Sequence, residues 1–283
     1  LFRSPEDKVF VVHEGVDTDK FKPLENPKKN DKFQFMIFGR WDYRKYTKEM
    51  VKAFIEEFDK DEPVELLLSA DNPYPVDTYN STEERLEKYE LQDPRIKILH
   101  FPTDEEYVKY LQTGNCMLMV SRSEGWGLPA IESLACGTPT LITDSGAMLE
   151  FGQYAQKVKV KEMRKPQNVF MQTDVPGEWA EPDFDDLKKQ MRYVYENYDE
   201  VKKHTMEGID YIKTFSWENA ANTAMEIINN IDVSKWYPVK INVGSGEYPK
   251  EGYINIDKYY EKADVMADAR TLPYQKETID EVL

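Results

Sequence analysis

The architecture is decided by one stretch: Cys116-Met117-Leu118-Met119-Val120-Ser121-Arg122-Ser123-Glu124-Gly125-Trp126-Gly127-Leu128-Pro129-Ala130-Ile131-Glu132, followed by Gly137 and the run Thr140-Leu141-Ile142-Thr143. Met117 to Val120 is an unbroken apolar run, as expected of a strand buried on both faces. Gly125 and Gly127 then let the backbone turn sharply and approach a ligand closely. Pro129 stands where a helix tolerates proline, near its first turn, and Gly137 follows that helix after Ala135. Thr140 to Thr143 is the next strand. The unit is therefore strand, glycine loop, helix, strand.

The same alternation extends in both directions. Strands are expected at Phe33 to Phe38, Val64 to Ser69 and Ile96 to Leu99, and Val9 to Val12 is a further short apolar run. Helical spacing of apolar residues marks Lys48 to Phe58, Ser81 to Tyr89 and Asp104 to Gln112, the last capped by Thr103 or Asp104. Two longer helices are expected over Phe184 to Tyr198 and Trp217 to Ile231. Strands separated by helices indicate an α/β fold, a parallel sheet with helices on both faces. Ligands in such folds bind beyond the carboxyl ends of the strands, so the residues after each strand are the candidates.

Composition narrows the function. The 283 residues are 40% hydrophobic and 13% aromatic, enough for a substantial core. The net charge of −16 repels phosphate backbones and anionic lipid, which argues against nucleic-acid and membrane-surface partners. No apolar stretch reaches the roughly 20 residues of a transmembrane segment, and no signal peptide opens the chain. Cys116 and Cys136 both sit in apolar patterns and read as buried thiols, in keeping with a cytoplasmic location. His13, His100 and His204 lack neighbours at ligand spacing, and no metal site is expected.

Three loops after strands carry candidate chemistry. Gly39-Arg40-Trp41-Asp42-Tyr43-Arg44-Lys45 offers Arg40 and Lys45, two cations suited to a diphosphate; the alternative is surface charges paired with Asp42 or Glu49. In the stretch quoted first, the helix start directs unpaired N–H groups and a positive dipole end at the loop, an anion site flanked by Glu124 and by Glu132, expected in the first turn. The alternative makes Glu132 a complement to the dipole and Glu124 a solvated acid. The third loop, Asp144 to Glu150, turns on Gly146.

Together, Phe38-Gly39-Arg40 with Arg44-Lys45, the pair Glu124/Glu132, Ala135 to Pro139 and the Gly146/Glu150 turn resemble the C-terminal domain of the family-four retaining glycosyltransferases of GT-B fold. The resemblance runs from about His13 to Ile231 and implies a Rossmann-like, nucleotide-sugar-binding domain over residues 21–232. It implies a transferase moving a sugar from a nucleotide-diphosphate sugar to a glycan or other hydroxyl acceptor, without a metal or cofactor. Arg40 and Lys45 would hold the diphosphate, with Glu124 on the transferred sugar and Glu132 on the ribose. Backbone N–H groups at Gly127 and Leu128 would face the phosphates, Gly39, Gly125 and Trp126 would also belong to the donor site, and the base would lie near Ala70 and Phe101. Front-face attack would be assisted by the departing phosphate. The family commonly has glycine after the Arg-Lys pair, where this chain has Tyr46, so the shape of that loop is in question. Residues 1–20 would be the hinge or the end of an otherwise missing N-terminal acceptor domain, leaving this chain weakly active or inactive by itself.

A second unit is expected over residues 238–283. Gly244-Ser245-Gly246 after the strand Val239 to Val243, Asp257 ending the strand Tyr253 to Asp257, and Asp268 resemble the opening of a class I S-adenosylmethionine-dependent methyltransferase. Further short strands are expected at Ala263 to Ala267 and Ile279 to Leu283. The resemblance implies S-adenosylmethionine contacts by Gly244, Gly246, Asp257 and Asp268. Two other readings stay open: a methyltransferase with the first unit as scaffold, and a non-catalytic nucleotide-sugar-binding module.

Overall fold

The computed structural model describes residues 9–27, 29–72, 81–100, 102–166 and 177–230, then 240–243, 245, 247–248, 250–251, 253–257, 259, 261–266 and 281–282. Of the candidate site residues, Phe101, Gly244, Gly246 and Asp268 lie outside these. The chain divides into two compact units, Leu1–Met225 and Glu226–Leu283.

The first unit alternates β1 (Phe33–Phe38), α1 (Thr47–Glu57), β2 (Val64–Ser69), α2 (Thr82–Lys88), β3 (Ile96–Ile98), α3 (Asp104–Thr113), β4 (Cys116–Met119), α4 (Leu128–Ala135), β5 (Thr140–Thr143) and β6 (Gln156–Val158). These six strands form one sheet in the order β3-β2-β1-β4-β5-β6, with every neighbouring pair parallel. The order reverses between β1 and β4, and in open α/β sheets that reversal opens a crevice at the carboxyl edge. The first and third loops of interest, after β1 and β5, and the glycine loop after β4 all leave this edge.

Alternation along β1 explains why helices cover both faces. Phe35 and Ile37 join a core with Val51, Phe54, Leu66, Leu68, Leu187 and Met191, whereas Met36 and Phe38 join Leu67, Leu111, Ile131 and Leu134. Fully burying one such side chain contributes about 1.5–3 kcal/mol. Helix starts follow their local chemistry: Ser81 and Thr103 each form a capping box, with Glu84 and Glu106 respectively.

An antiparallel hairpin, β7 (Val160–Arg164) and β8 (Trp179–Pro182), follows β6. The expected helix Phe184 to Tyr198 ends two residues early, as α5 (Phe184–Glu196); two helices the sequence reading did not name, α6 (Tyr198–Glu207) and α7 (Ile209–Lys213), follow before α8 (Trp217–Asn230). Val9 to Val12 is not a strand; all four side chains are exposed and outside any ladder. Val16, by contrast, bridges to Ser216 and is buried.

The second unit, by itself, is a parallel sheet in the order β11-β10-β9-β12, built from β9 (Lys240–Val243), β10 (Ile254–Asp257), β11 (Val265–Met266) and β12 (Glu281–Val282). Among the described residues of the chain, no helix is long and apolar enough to cross a membrane.

Candidate active site

Two strand ends that are neighbours in the sheet bring their loops together. After β1, Gly39 donates its N–H to the Ser69 carbonyl and Trp41 to that of Ala70, so the loop starts fixed to the end of β2. Asp42 accepts the N–H of Arg44 through its side chain (2.7 Å) and that of Lys45 through its carbonyl (3.1 Å), folding the loop back. Arg44 in turn receives the N–H of Arg122 on its carbonyl, which ties this loop to the one after β4.

The charges converge there. Lys45 Nζ lies 2.8 Å from Glu124 Oε1, and Arg44 Nη1 lies 3.1 Å from Glu124 Oε2. The Glu124 side chain is only 7% exposed. Asp42 is occupied by backbone N–H groups and Glu49 faces Arg122, so the reading of Lys45 as a surface charge paired with either of them does not hold. Burial is the main effect lowering the proton affinity of Lys45, followed by the charges of Arg44 and Arg40, while Glu124 works the other way. Arg40 and Arg44 are thus part of one cationic cluster with Lys45, and Glu124 offsets it. Sequence reasoning does not single out Arg44, because its reach to Glu124 alongside Lys45 comes from the pairing of β1 with β4, which no local spacing shows.

Tyr46 answers the question raised by its identity. Its φ of 58° and ψ of 21° are left-handed, the conformation that favours glycine. The loop therefore keeps the shape a glycine would give, at a strain of about 1–2 kcal/mol. The ring compensates: it is 2% exposed, donates its hydroxyl to the Pro182 carbonyl, and packs 4.5 Å from the Arg122 guanidinium.

Arg122 is the brace of this edge. It is 3% exposed, and it donates to Glu181 at 2.6 Å and 2.9 Å and to Glu49 at 3.3 Å. It also donates to the Tyr43 carbonyl and stacks 3.7 Å from the Tyr43 ring. One side chain thus joins the loops after β1 and β4 to α1 and β8.

The helix that ends the glycine loop starts one residue earlier than expected, at Leu128, with Gly127 as its N-cap at φ 100°. A Cβ on Gly127 would meet Met148 Cγ at 2.8 Å. Gly127→Ala is expected to destabilise the unit by about 2 kcal/mol or more, from left-handed strain plus the collision, read as a lower denaturant midpoint at unchanged slope. Gly125 differs: a Cβ there would meet open space. Trp126 turns its ring away from the loop into the core, 5.0 Å from His13 and 5.2 Å from Phe151. Its ring is buried at 7% exposure, as so large an apolar surface favours.

Glu132 is not a first-turn acid; α4 has none there. It projects a turn further in, half-buried, and its Oε2 accepts the Tyr107 hydroxyl at 2.7 Å. Burial raises its proton affinity, opposed by the Tyr107 hydrogen bond and the charge of Lys20. Gly146 keeps a positive φ of 78° and leads into a 3-10 turn that contains Glu150.

At the ends of β2 and β3, Ala70 is fully buried. His100 corrects the sequence reading, which gave it no partners. Its Nδ1 lies 2.8 Å from Asp71 Oδ2 and its Nε2 lies 2.9 Å from Glu83 Oε1. Among the described residues, this is the only group of three or more His, Cys, Asp or Glu residues close enough to share a cation. Both ring nitrogens facing carboxylates suits an imidazolium, and the Asp71 hydrogen bond foremost raises its proton affinity. His13 and His204 pack against Trp126 and Tyr154. Cys116 and Cys136 are buried free thiols whose proton affinity burial pushes up.

Residues 1–223 match the family described as Family 4 Glycosyltransferase in conflict systems. The chain belongs to this glycosyltransferase family. Among curated relatives, the family-four chain is 29% identical over 143 residues to a phosphatidylinositol N-acetylglucosaminyltransferase component of Arabidopsis thaliana, covering 50% of this chain and 31% of that one. It is 21% identical to a probable sucrose-phosphate synthase of Thermosipho melanesiensis, covering 81% and 49%. The chain thus spans about a third to a half of these relatives. Its fold is that of solved glycosyltransferases. The sucrose-phosphate synthase of Thermosynechococcus elongatus superposes with a TM-score of 0.59 at 20% identity, over 78% of this chain and 52% of that one. The C-terminal domain of a group 1 glycosyl transferase from Francisella tularensis superposes at 0.53 and 23% identity, over 71% of this chain and 97% of that domain. Anabaena Alr3699/HepE, solved with UDP and glucose, superposes at 0.60 and 15% identity, over 78% and 57%.

Proposed function

We propose that the first unit binds a nucleotide-diphosphate sugar at the reversal between β1 and β4 and transfers the sugar, with retention, to a hydroxyl acceptor presented across the sheet's carboxyl edge by a separate domain or partner. The observation that carries this reading is the partly buried cluster of Arg44, Lys45 and Glu124 beside Arg40 and the Gly127 helix start. A diphosphate entering between Lys45 and the helix N-terminus would replace Glu124 as counter-charge. The freed carboxylate would then accept hydroxyl groups of the sugar. As the bond from the sugar's C1 to the diphosphate oxygen breaks, the cations stabilise the growing charge, and the acceptor oxygen bonds to C1 and passes its proton to the departing phosphate. The solved relative with UDP and glucose supports the class of ligand. A thermal-shift panel of uridine, guanosine and adenosine diphosphate sugars tests it: at least one is expected to raise the melting temperature, and no shift with any of them rejects the reading.

For the second unit, the parallel order β11-β10-β9-β12, with Asp257 closing the strand beside β9, favours the start of a fold that binds S-adenosylmethionine. Calorimetry with S-adenosylmethionine on the full chain is expected to show binding that Asp257→Ala removes; no heat of binding rejects this second reading.

A further inference from the structure

The Tyr107 hydroxyl is aimed at Glu132 from a neighbouring helix. Tyr107 sits on α3, its ring edge-on to Phe21 and Phe38 at 6.1 Å and 5.6 Å, so packing fixes its direction. The hydroxyl donates to Glu132 Oε2 at 2.7 Å and thereby assigns one carboxylate oxygen to the protein. The other charged or titratable groups near Glu132 are Lys20, whose ammonium pairs with Asp104 at 2.8 Å, Asp104 itself at the start of α3, and the neutral Cys136 thiol at the end of α4.

From this geometry we infer that Tyr107 is a positioning residue for donor binding, holding one oxygen of Glu132 so that the other is turned to receive the ribose hydroxyls. This rests on the donor-binding reading above. The physical need is specific. A neutral carboxylic acid accepts a vicinal diol poorly, and burial pushes Glu132 toward the neutral form, with the charge of Asp104 adding to it. A donated hydroxyl stabilises the charged form more than the neutral one. Lys20 contributes the same sign, but it is exposed and already paired with Asp104, so its charge is screened. Binding that needs charged Glu132 is present above its pKa and lost as pH falls through it. Removing the Tyr107 hydroxyl moves that loss to higher pH.

The test is calorimetric titration of the full chain with UDP and 2′-deoxy-UDP, and with the matching guanosine and adenosine pairs, across pH 5 to 8. Wild type is expected to prefer the ribonucleotide by about tenfold, the low end of the value of one hydrogen bond to a charged group. Glu132→Gln is expected to abolish the preference. Tyr107→Phe is expected to reduce it several-fold and to shift the pH at which affinity is lost upward; Tyr107→Leu serves if the first variant melts early. Glu132→Gln losing the preference while both Tyr107 variants keep it, with an unmoved pH midpoint, overturns the inference alone. Glu132→Gln retaining the preference, or no nucleotide binding to wild type, overturns the ribose assignment and the inference with it.

Discussion

Replacing Lys45 by alanine is expected to weaken nucleoside diphosphate binding by roughly 10- to 100-fold, the effect of losing one charge-assisted contact of about 1.5–3 kcal/mol. The companion substitution has the opposite sign. Glu124→Gln removes the acid that sits 2.8 Å from Lys45 and 3.1 Å from Arg44 in the unliganded site. The cations then need not exchange one partner for another, so the bare diphosphate binds more tightly. The advantage of a nucleotide sugar over the bare diphosphate falls, because the sugar has lost its carboxylate. A surface pair would give neither result, since exposed pairs are worth little and their loss changes no ligand affinity. Titration calorimetry of both variants with a nucleoside diphosphate and its sugar checks the two signs together.

The second large effect belongs to Arg122. Replacement by alanine is expected to lower stability by about 3–5 kcal/mol, because Glu181 and Glu49 lose a buried partner and the Tyr43 and Tyr46 rings lose the surface they pack on. Arg122→Met keeps much of the volume and is expected to cost less, although Glu181 would then depend on Arg164 alone, at 3.1 Å. Urea unfolding of the three proteins measures both differences. Tyr46 stays left-handed only while its ring is held, so nucleotide affinity should fall with stability in Arg122→Ala.

What could be read from the sequence follows from range. The strands β1, β2, β4 and β5 announce themselves as short apolar runs because they are buried on both faces. The cationic loop and the glycine loop were legible for the same local reason, lying directly after such runs. β6 was not: Gln156–Val158 is three residues long with one fully buried side chain. β7 exposes three of its five residues, Lys161, Glu162 and Met163, and β8 ends in proline, so neither matches a buried strand pattern.

The pairings within the site were illegible for a different reason. Arg122 meets Glu181 across 59 residues, Arg44 and Lys45 meet Glu124 across the β1–β4 neighbourhood, and Tyr107 meets Glu132 across 25. No local spacing encodes such contacts; the strand order creates them. Asp71, Glu83 and His100 are likewise gathered by the ends of β2 and β3 and the first turn of α2, which is why His100 read alone had no partner. The fold-level reading also could not tell that Trp126 turns inward, since a glycine-flanked aromatic beside a ligand loop fits either orientation.

The central claim is that the diphosphate of a sugar donor displaces Glu124 from Lys45 at the helix start. A crystal structure of the full chain soaked with a nucleoside diphosphate tests it most directly. The expected result places the diphosphate within hydrogen-bonding distance of Arg40, Lys45 and the N–H groups at Gly127 and Leu128, with the Lys45–Glu124 pair opened. A nucleotide bound elsewhere, or bound while that pair stays closed, would contradict it.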